Sequence, residues 1–506
     1  MKRRPAIVVV LGVLTAIQAG IGLWRIVDLY LVSLRKGVLP FTPAIALLDE
    51  IGLCAAIAIA AWWWLPRSGR TWYGWAVHFI VMGWTLAIVQ LTWVLLLGFF
   101  EHGVSWATLL VLMAVGTLVR QRTVSSGSVA EPATGGGLHP ALAGAFIFWL
   151  LQAPQLFFRY HWTDTKDIWA CRTVAFDATG GLAGIFDCLD PSRPPLQSIL
   201  LWLGHTNDMI EGRLLPFLMI GAFGLILYQV FRKLAPALAP WGVLWFYMTV
   251  RVYQGAITSY ADVPVMLAIA MAILLAVRDD LVTSRWRAIV GVLVAGAAAT
   301  LIKRDGGGLV VVAAAVAWWF APRRSDPRIY AAVLGVIIGY VMWSVRPSDL
   351  AAPSVFDFDI GTASAPALPL VPASWQEGVP EITPDTAKAT LQTYVTMFYG
   401  MQGQMISHYG FGMFVPLWII LAVWLWRQHE SLSPEGRRYS WIALAGWLAI
   451  IGIYVLHVST GHAYRGSLRI IRTAFGRHLV HTYVFALLSA VAMAEVLVAR
   501  ARSRSA

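Results

Sequence analysis

Long apolar runs recur along the whole chain, and they limit its possible folds more than any other feature. Many of them reach the roughly 20 residues that a helix needs to cross a bilayer. Hydrophobic residues make up 58% of the 506, charged residues 13%, and the mean hydropathy is +0.68. The sequence therefore predicts an all-α polytopic membrane protein with about 14 transmembrane helices.

The predicted spans lie near residues 6–33, 46–65, 72–100, 103–119, 140–158, 213–231, 238–257, 263–278, 286–302, 308–321, 329–346, 411–426, 439–457 and 478–498. We interpret the basic start, Met1 to Arg4, as the flank of an uncleaved first span, because the apolar run behind it is long. A cytoplasmic N-terminus places most basic connections in the cytoplasm, as the positive-inside rule requires. The net charge of +12 then reflects loops facing anionic lipid, and nucleic acid is not an expected partner.

Polar stretches divide the chain into two units. Residues 1–120 form a four-span unit, residues 121–139 a cytoplasmic linker rich in Ser, Gly and Pro, and residues 140–506 the larger unit. The larger unit carries three polar outer segments, at 159–194, 347–410 and 458–477. The apolar piece 195–204 is too short to cross, so we expect it to be re-entrant or to lie at the outer face.

The first outer segment opens with charged and aromatic residues directly after an apolar span. It contains Asp164 and Asp167 among arginine, lysine and tryptophan side chains. A bilayer edge has no structural need for such groups, so they indicate a functional site. Asp164 is the first candidate for a catalytic residue.

The third outer segment places three guanidinium groups on one helical face, because Arg465, Arg469 and Arg472 are spaced i, i+4 and i+7. Arg477 follows shortly after. Guanidinium groups suit phosphate oxygens, so the face is predicted to bind a phosphate or pyrophosphate. The alternative is an interfacial helix whose arginines meet lipid headgroups.

Three more polar motifs return to the outer face, each with an ordinary structural explanation. Arg193 precedes a double proline, Asp262 starts one span, and Lys303 ends another. Asp262 is also a plausible helix cap and Lys303 a snorkelling side chain. Asp305 and Gly306 read as a turn pair.

Taken in order, these motifs resemble the polyprenyl-phosphate-dependent membrane glycosyltransferases of the GT-C fold, which include protein O-mannosyltransferases and lipid A aminoarabinose transferases. The resemblance covers roughly residues 140–500. The usual acidic pair appears here as Asp164 followed by Thr165, which leaves Asp167 or Asp262 as the second carboxylate. The Lys-Asn-Glu-Gly-like run of the family is Lys-Arg-Asp-Gly from Lys303, and the first four spans are extra.

The resemblance implies an inverting glycosyltransferase of the bacterial inner membrane, with both termini cytoplasmic and the active site on the outer face. Asp164 would be the general base, Asp262 would orient a cation or a second hydroxyl, and Arg193 with Lys303 and the arginine face would bind the lipid phosphate. The donor would be a polyprenyl-phosphate sugar, and the acceptor a cell-envelope glycan, glycolipid or protein. A divalent cation, Mg²⁺ or Mn²⁺, between Asp164 and Asp262 is one alternative, and neutralisation by arginines is the other.

Two other classes of function stay open. A lipid-linked saccharide ligase or polymerase would use the arginines for pyrophosphate without an essential loop carboxylate. A flippase or transporter would only bind the lipid carrier, and we would expect it to carry charges at mid-membrane depth.

The cysteines and histidines add weaker signals. Cys171 and Cys188 both fall in the first outer segment, where an oxidising compartment permits a disulfide; two free thiols are the alternative. Of the histidines near the arginine face, we expect His478 and His481 to face substrate or the interface rather than zinc, because no carboxylate or cysteine stands at ligand spacing. His78, within a span, is expected to be a hydrogen-bonded core residue.

Overall fold

The structure is a computed structural model. It describes residues 6–35, 44–65, 71–122, 139–153, 156, 171–182, 188, 194–203, 213–249, 252, 261–282, 284–321, 324–344, 414–427, 429–459 and 478–503.

The described residues are helical and contain no strand, so the predicted all-α class is confirmed. Their α-helices are α1 (Ala6–Arg35), α2 (Ala44–Trp64), α3 (Trp72–Leu97), α4 (His102–Arg122), α5 (Pro140–Leu150), α6 (Cys171–Thr179), α7 (Leu196–Leu203), α8 (Leu214–Leu234), α9 (Ala239–Met248), α10 (Asp262–Val277), α11 (Arg285–Ile302), α12 (Arg304–Trp319), α13 (Pro327–Ser344), α14 (Phe414–Trp426), α15 (Pro434–Ser459) and α16 (Tyr483–Ser503). Short 3-10 helices span His429–Ser431 and Val480–Thr482.

Six helices of the described residues are long and apolar enough to cross a membrane: Ile7–Asp28, Trp72–Leu97, Leu214–Leu234, Arg285–Ile302, Pro327–Ser344 and Val480–Ser503. The chain is thus a multi-pass helical membrane protein. Each of the fourteen predicted spans overlaps a helix, but the count of fourteen stays a prediction. Among the described residues of the predicted span 140–158, α5 ends at Leu150 and a turn follows directly after it.

Helix α10 lies at the centre of the larger unit. Its residues from Asp262 to Ala276 are all buried, and it packs against α11, α12, α13 and α16. Such all-round apolar burial is expected of a helix enclosed by other helices. Helix α12 also packs against α15, which in turn packs against α16.

The two ends of this bundle carry separate sets of charged side chains. At the end that we call the Arg278 end, Arg278 Nη1 lies 2.8 Å from Glu435 and its Nε 2.9 Å from Asp280. Arg328 there pairs with Asp326 and Asp279, each at 2.6 Å. These pairs join the end of α10 to the starts of α13 and α15. The other end, where α10 begins, is the Asp262 end.

The first helices share the core of the larger unit. Helix α3 packs along α8 and against α11, and α1 packs on α9. Buried Glu50 of α2 accepts a hydrogen bond from the Leu214 N–H, 2.6 Å away, at the first residue of α8. A single hydrophobic cluster therefore runs from α1 to α16 across the predicted boundary.

Candidate functional site

Asp262 is the first residue of α10, and its carboxylate is buried. The residue is 5% exposed, and its Oδ1 lies 2.9 Å from Lys303 Nζ. The N-cap position belongs to Ala261, so the prediction that Asp262 caps the helix is wrong. A carboxylate at a helix N-terminus is stabilised by the helix dipole, and here it also has a cation as partner.

Lys303 stands at the junction between α11 and α12. Its backbone is extended, with φ −157° and ψ 134°, and it separates the two helices. Its Nζ lies 2.9 Å from Asp262 and 3.6 Å from Asp305. The ammonium group is thus shared by two carboxylates and does not snorkel away from them.

Asp305 and Gly306 belong to the first turn of α12, so their predicted role as a turn pair is wrong. A side chain at Gly306 would collide with the Ala299 carbonyl oxygen and approach Val265 Cγ1 to 3.0 Å. Glycine is needed there because α12 starts in close contact with α11. The same contact brings Asp305 back toward Lys303.

His481 completes the cluster from the 3-10 helix before α16. Its Nε2 lies 3.2 Å from Asp262 Oδ1 and its Nδ1 3.9 Å from Asp305 Oδ2. The ring of His478 stacks on it with centroids 5.4 Å apart. His481 is only 1% exposed, so of its two predicted places the interface is wrong, and a place facing substrate stays a prediction.

These contacts form a ring of four side chains, in the order Asp262, Lys303, Asp305 and His481, in which the 3.9 Å link from Asp305 to His481 is too long for a hydrogen bond. Burial raises the pKa of Asp305, but Lys303 and the two histidines outweigh it and hold that pKa at about 2. Asp305 is therefore ionised at neutral pH and a poor proton acceptor. The ring suits the fixing of three chain segments, and the buried carboxylate of Asp262 needs the ammonium group as its partner.

The disulfide between Cys171 and Cys188 closes a loop in the first outer segment, with Cα atoms 5.8 Å apart. Of the two alternatives for these cysteines, the structure thus has the bonded one. Helix α6 begins at Cys171 and packs against α7, whose eight residues are all buried. The apolar piece expected to be re-entrant or interfacial is this short buried helix. Cys54 is a free, buried cysteine.

Of the predicted site residues, Asp262 and Lys303 are brought into direct contact. The others lie outside the described residues: Asp164, Asp167, Arg193, Arg465, Arg469, Arg472 and Arg477. In the part of the chain that the structure describes, no group of three His, Cys, Asp or Glu side chains is arranged to hold a metal ion. Asp262 is the one described residue of the alternative cation site between Asp164 and Asp262. Its carboxylate contacts Lys303 and His481.

Sequence reasoning missed His481 and Asp305 as members of the site. The available signal was weak: Asp305 is two residues from Lys303, and His481 follows the arginine segment. Searches against family models, curated proteins and solved structures found no match to this chain.

Proposed function

We propose that the protein is an inverting glycosyltransferase that moves a sugar from a polyprenyl-phosphate carrier to a cell-envelope acceptor at the outer face of the membrane. The donor would be a single sugar on an undecaprenyl- or decaprenyl-type phosphate. Arrival of the lipid donor from within the bilayer would account for a site at the end of a helix bundle.

The contact between Asp262 and Lys303 is the observation that supports this proposal most. The two residues are 41 positions apart and belong to two of the motifs that carry the family resemblance. Burying ionisable side chains among apolar helices costs free energy, and in membrane proteins such side chains usually belong to a functional site. Their meeting at one bundle end is what a shared site requires.

The proposed reaction is a single displacement at the anomeric carbon. Asp164 takes the proton from an acceptor hydroxyl as its oxygen attacks that carbon. The new carbon–oxygen bond forms as the bond to the phosphate oxygen breaks, and polyprenyl phosphate leaves with the electron pair. Attack opposite the leaving group inverts the anomeric centre.

The charge that develops on the leaving phosphate calls for cations held in place beforehand. In this proposal Arg193 and the arginine face of Arg465, Arg469 and Arg472 supply them, together with Arg477. Lys303 acts mainly as a positioning residue, since two carboxylates already share its ammonium. A divalent cation at Asp164 is the alternative way of neutralising the phosphate.

Asp164→Asn and Asp279→Asn form the matched pair that tests the proposal, because they make the same chemical change at the candidate base and at an exposed carboxylate of the Arg278 end. Purified Asp164→Asn protein should lose transfer from a polyprenyl-phosphate sugar by about 10²-fold or more, the typical contribution of a general base. Asp279→Asn should keep the wild-type activity, because the Asp279 side chain is 89% exposed and lies at the other bundle end. Asp167→Asn decides which residue is the second carboxylate: transfer should fall if it is Asp167 and be kept if it is Asp262. Transfer is measured as labelled sugar released from the lipid.

Each competing class predicts a different result. A ligase or polymerase would keep its activity in Asp164→Asn, and its donor would carry a pyrophosphate. A flippase would move the lipid carrier across vesicles without breaking the sugar–phosphate bond. Wild-type transfer rates in Asp164→Asn would rule out the proposed mechanism.

A further inference from the structure

The connection between α3 and α4 joins the first four helices to the disulfide-closed segment. We infer that Phe100, in this connection, is a positioning residue that holds α6 in place, so that the N-terminal unit is part of the framework of the site. The consequence for sugar transfer rests on the proposed function; the positioning itself does not.

The connection is a rigid turn. Gly98 ends α3 with φ 86°, a left-handed conformation that glycine adopts without strain, and its N–H bonds to the Val94 carbonyl oxygen. Buried Gln90 donates from Nε2 to the Glu101 carbonyl oxygen and to Ser105 Oγ. The turn is therefore held by α3 before it touches the rest of the chain.

The backbone of this turn contacts the end of α6 directly. The Phe100 N–H donates to the Gly180 carbonyl oxygen at 2.6 Å. A Cβ atom at Gly181 would lie 2.6 Å from the Gly98 carbonyl oxygen, which only a glycine avoids. The two backbone segments thus touch in one fixed register.

Aromatic rings cover this contact. The Phe100 ring lies 4.5 Å from Phe176 of α6 and 5.0 Å from Trp202 of α7, centroid to centroid. The His102 ring also stacks on Trp202, with centroids 4.0 Å apart. Phe100 is 7% exposed, whereas its neighbour Phe99 is 45% exposed and touches Trp93 of its own unit. Phe100 is therefore the side chain that fills the junction.

The junction contacts α6, which follows Asp164 in the sequence, and α7, which packs toward the helix that ends next to Lys303. Helix α6 starts at disulfide-bonded Cys171, seven residues after Asp164 in the sequence, and Thr173 Oγ1 donates to the Ser198 carbonyl oxygen of α7. Helix α7 packs against α3 and α11, and α11 ends next to Lys303. A loss of Phe100 would thus loosen α6 and α7 without touching the Asp262 ring.

Phe100→Ala and Phe99→Ala in the full-length protein form the test, because the two changes are chemically identical and one residue apart. The measurement is the rate at which a phosphine reductant opens the disulfide, followed by gel shift after maleimide labelling. Phe100→Ala should raise the rate on the order of tenfold, since it removes a packed ring and favours local opening. Phe99→Ala should react at the wild-type rate, and Phe100→Leu should restore most of the protection.

Equal reduction rates in Phe100→Ala and wild type would overturn the inference. So would equal acceleration by both alanine variants, because that would mean general loosening of the fold. If the protein proves not to transfer sugar, these rates still decide the positioning role. If it does, transfer should fall in Phe100→Ala and recover in Phe100→Leu.

Discussion

The ring formed by Asp262, Lys303, Asp305 and His481 is the feature with the largest consequence at the scale of single residues. A buried ion pair contributes little net stability compared with apolar residues, but the loss of one partner leaves the other charge uncompensated. Lys303 and Asp262 are both largely buried, with side chains 13% and 7% exposed. Substitutions in the ring should therefore lower the free energy of unfolding by far more than the number of lost hydrogen bonds suggests.

Asp262→Asn should lower the free energy of unfolding by about 3–5 kcal/mol, the usual cost of breaking a buried pair. Lys303→Met should lower the free energy of unfolding by a similar amount. The loss in the double variant should be smaller than the sum of the losses in the two single variants. Thermal unfolding in detergent, analysed as a double-mutant cycle, measures the coupling.

Asp279→Asn is the matched control for this cycle. Asp279 also pairs with an arginine, but its side chain is 89% exposed, so its loss should cost no more than about 1 kcal/mol. Strict additivity of the two ring substitutions would show that Asp262 and Lys303 do not interact.

Part of this ring was predictable from the sequence, and part was not. Asp262 and Lys303 stood out because charges at span ends are unusual in an apolar chain. Their contact depends on how α10 and α11 pack, which no local pattern records. The contact of His481 with Asp262 was not predicted, because a histidine beside arginines looks the same in sequence whether it faces lipid, substrate or the protein interior.

At the scale of elements, small residues set the closest helix contact. Gly335 and Gly339 of α13 form a Gly-x-x-x-Gly pattern facing α11, and a Cβ at Gly296 of α11 would lie 2.6 Å from the Ala332 carbonyl oxygen. Lipid offers helices no hydrophobic gain on association, so close backbone packing through small residues is the main source of their affinity.

Gly335→Ala should destabilise the protein by about 1–3 kcal/mol, because the new methyl group would collide with the Leu293 carbonyl oxygen and push the two helices apart. Gly308→Ala in α12 is the control, since nothing lies within 4 Å of a Cβ there. It should leave stability unchanged or raise it by up to about 1 kcal/mol through helix propensity. Equal melting temperatures for the two variants would contradict the close crossing.

Helix positions followed from apolar run length, whereas several helix ends did not. Within the predicted span 238–257, α9 ends at Met248, and hydropathy alone does not report where such an end falls. The run 195–204 forms the eight-residue helix α7. Its complete burial as α7 could not be foreseen, since it depends on α3 and α6, both distant in sequence.

At the scale of the whole molecule, the two bundle ends should lie on opposite sides of the membrane. The positive-inside rule assigns the Arg278 end to the cytoplasm and the Asp262 end, with the disulfide, to the outside. Each side has an exposed residue that can report it: Asp279 at the Arg278 end and Ala178 of α6 near the disulfide.

Single cysteines at these two positions test the orientation with an impermeant maleimide. Ala178→Cys should label in intact cells, and Asp279→Cys only after the membrane is permeabilised. The remaining free thiol, Cys54, is buried and serves as a silent background. Labelling of both variants in intact cells, or the reverse order, would show that the orientation is wrong.

The central helix, α10, is shorter than the hydrocarbon layer that it would have to cross. Helix α10 has 16 residues, so at 1.5 Å per residue it is about 24 Å long, against a hydrocarbon layer of about 30 Å. The Asp262 ring lies at one of its ends and the Arg278 pairs lie at the other. If α10 crosses the bilayer, at least one of these charged sets lies at the depth of the lipid tails, and the helices that enclose α10 separate it from them. Water and substrate would then reach the carboxylates through the protein rather than from the lipid.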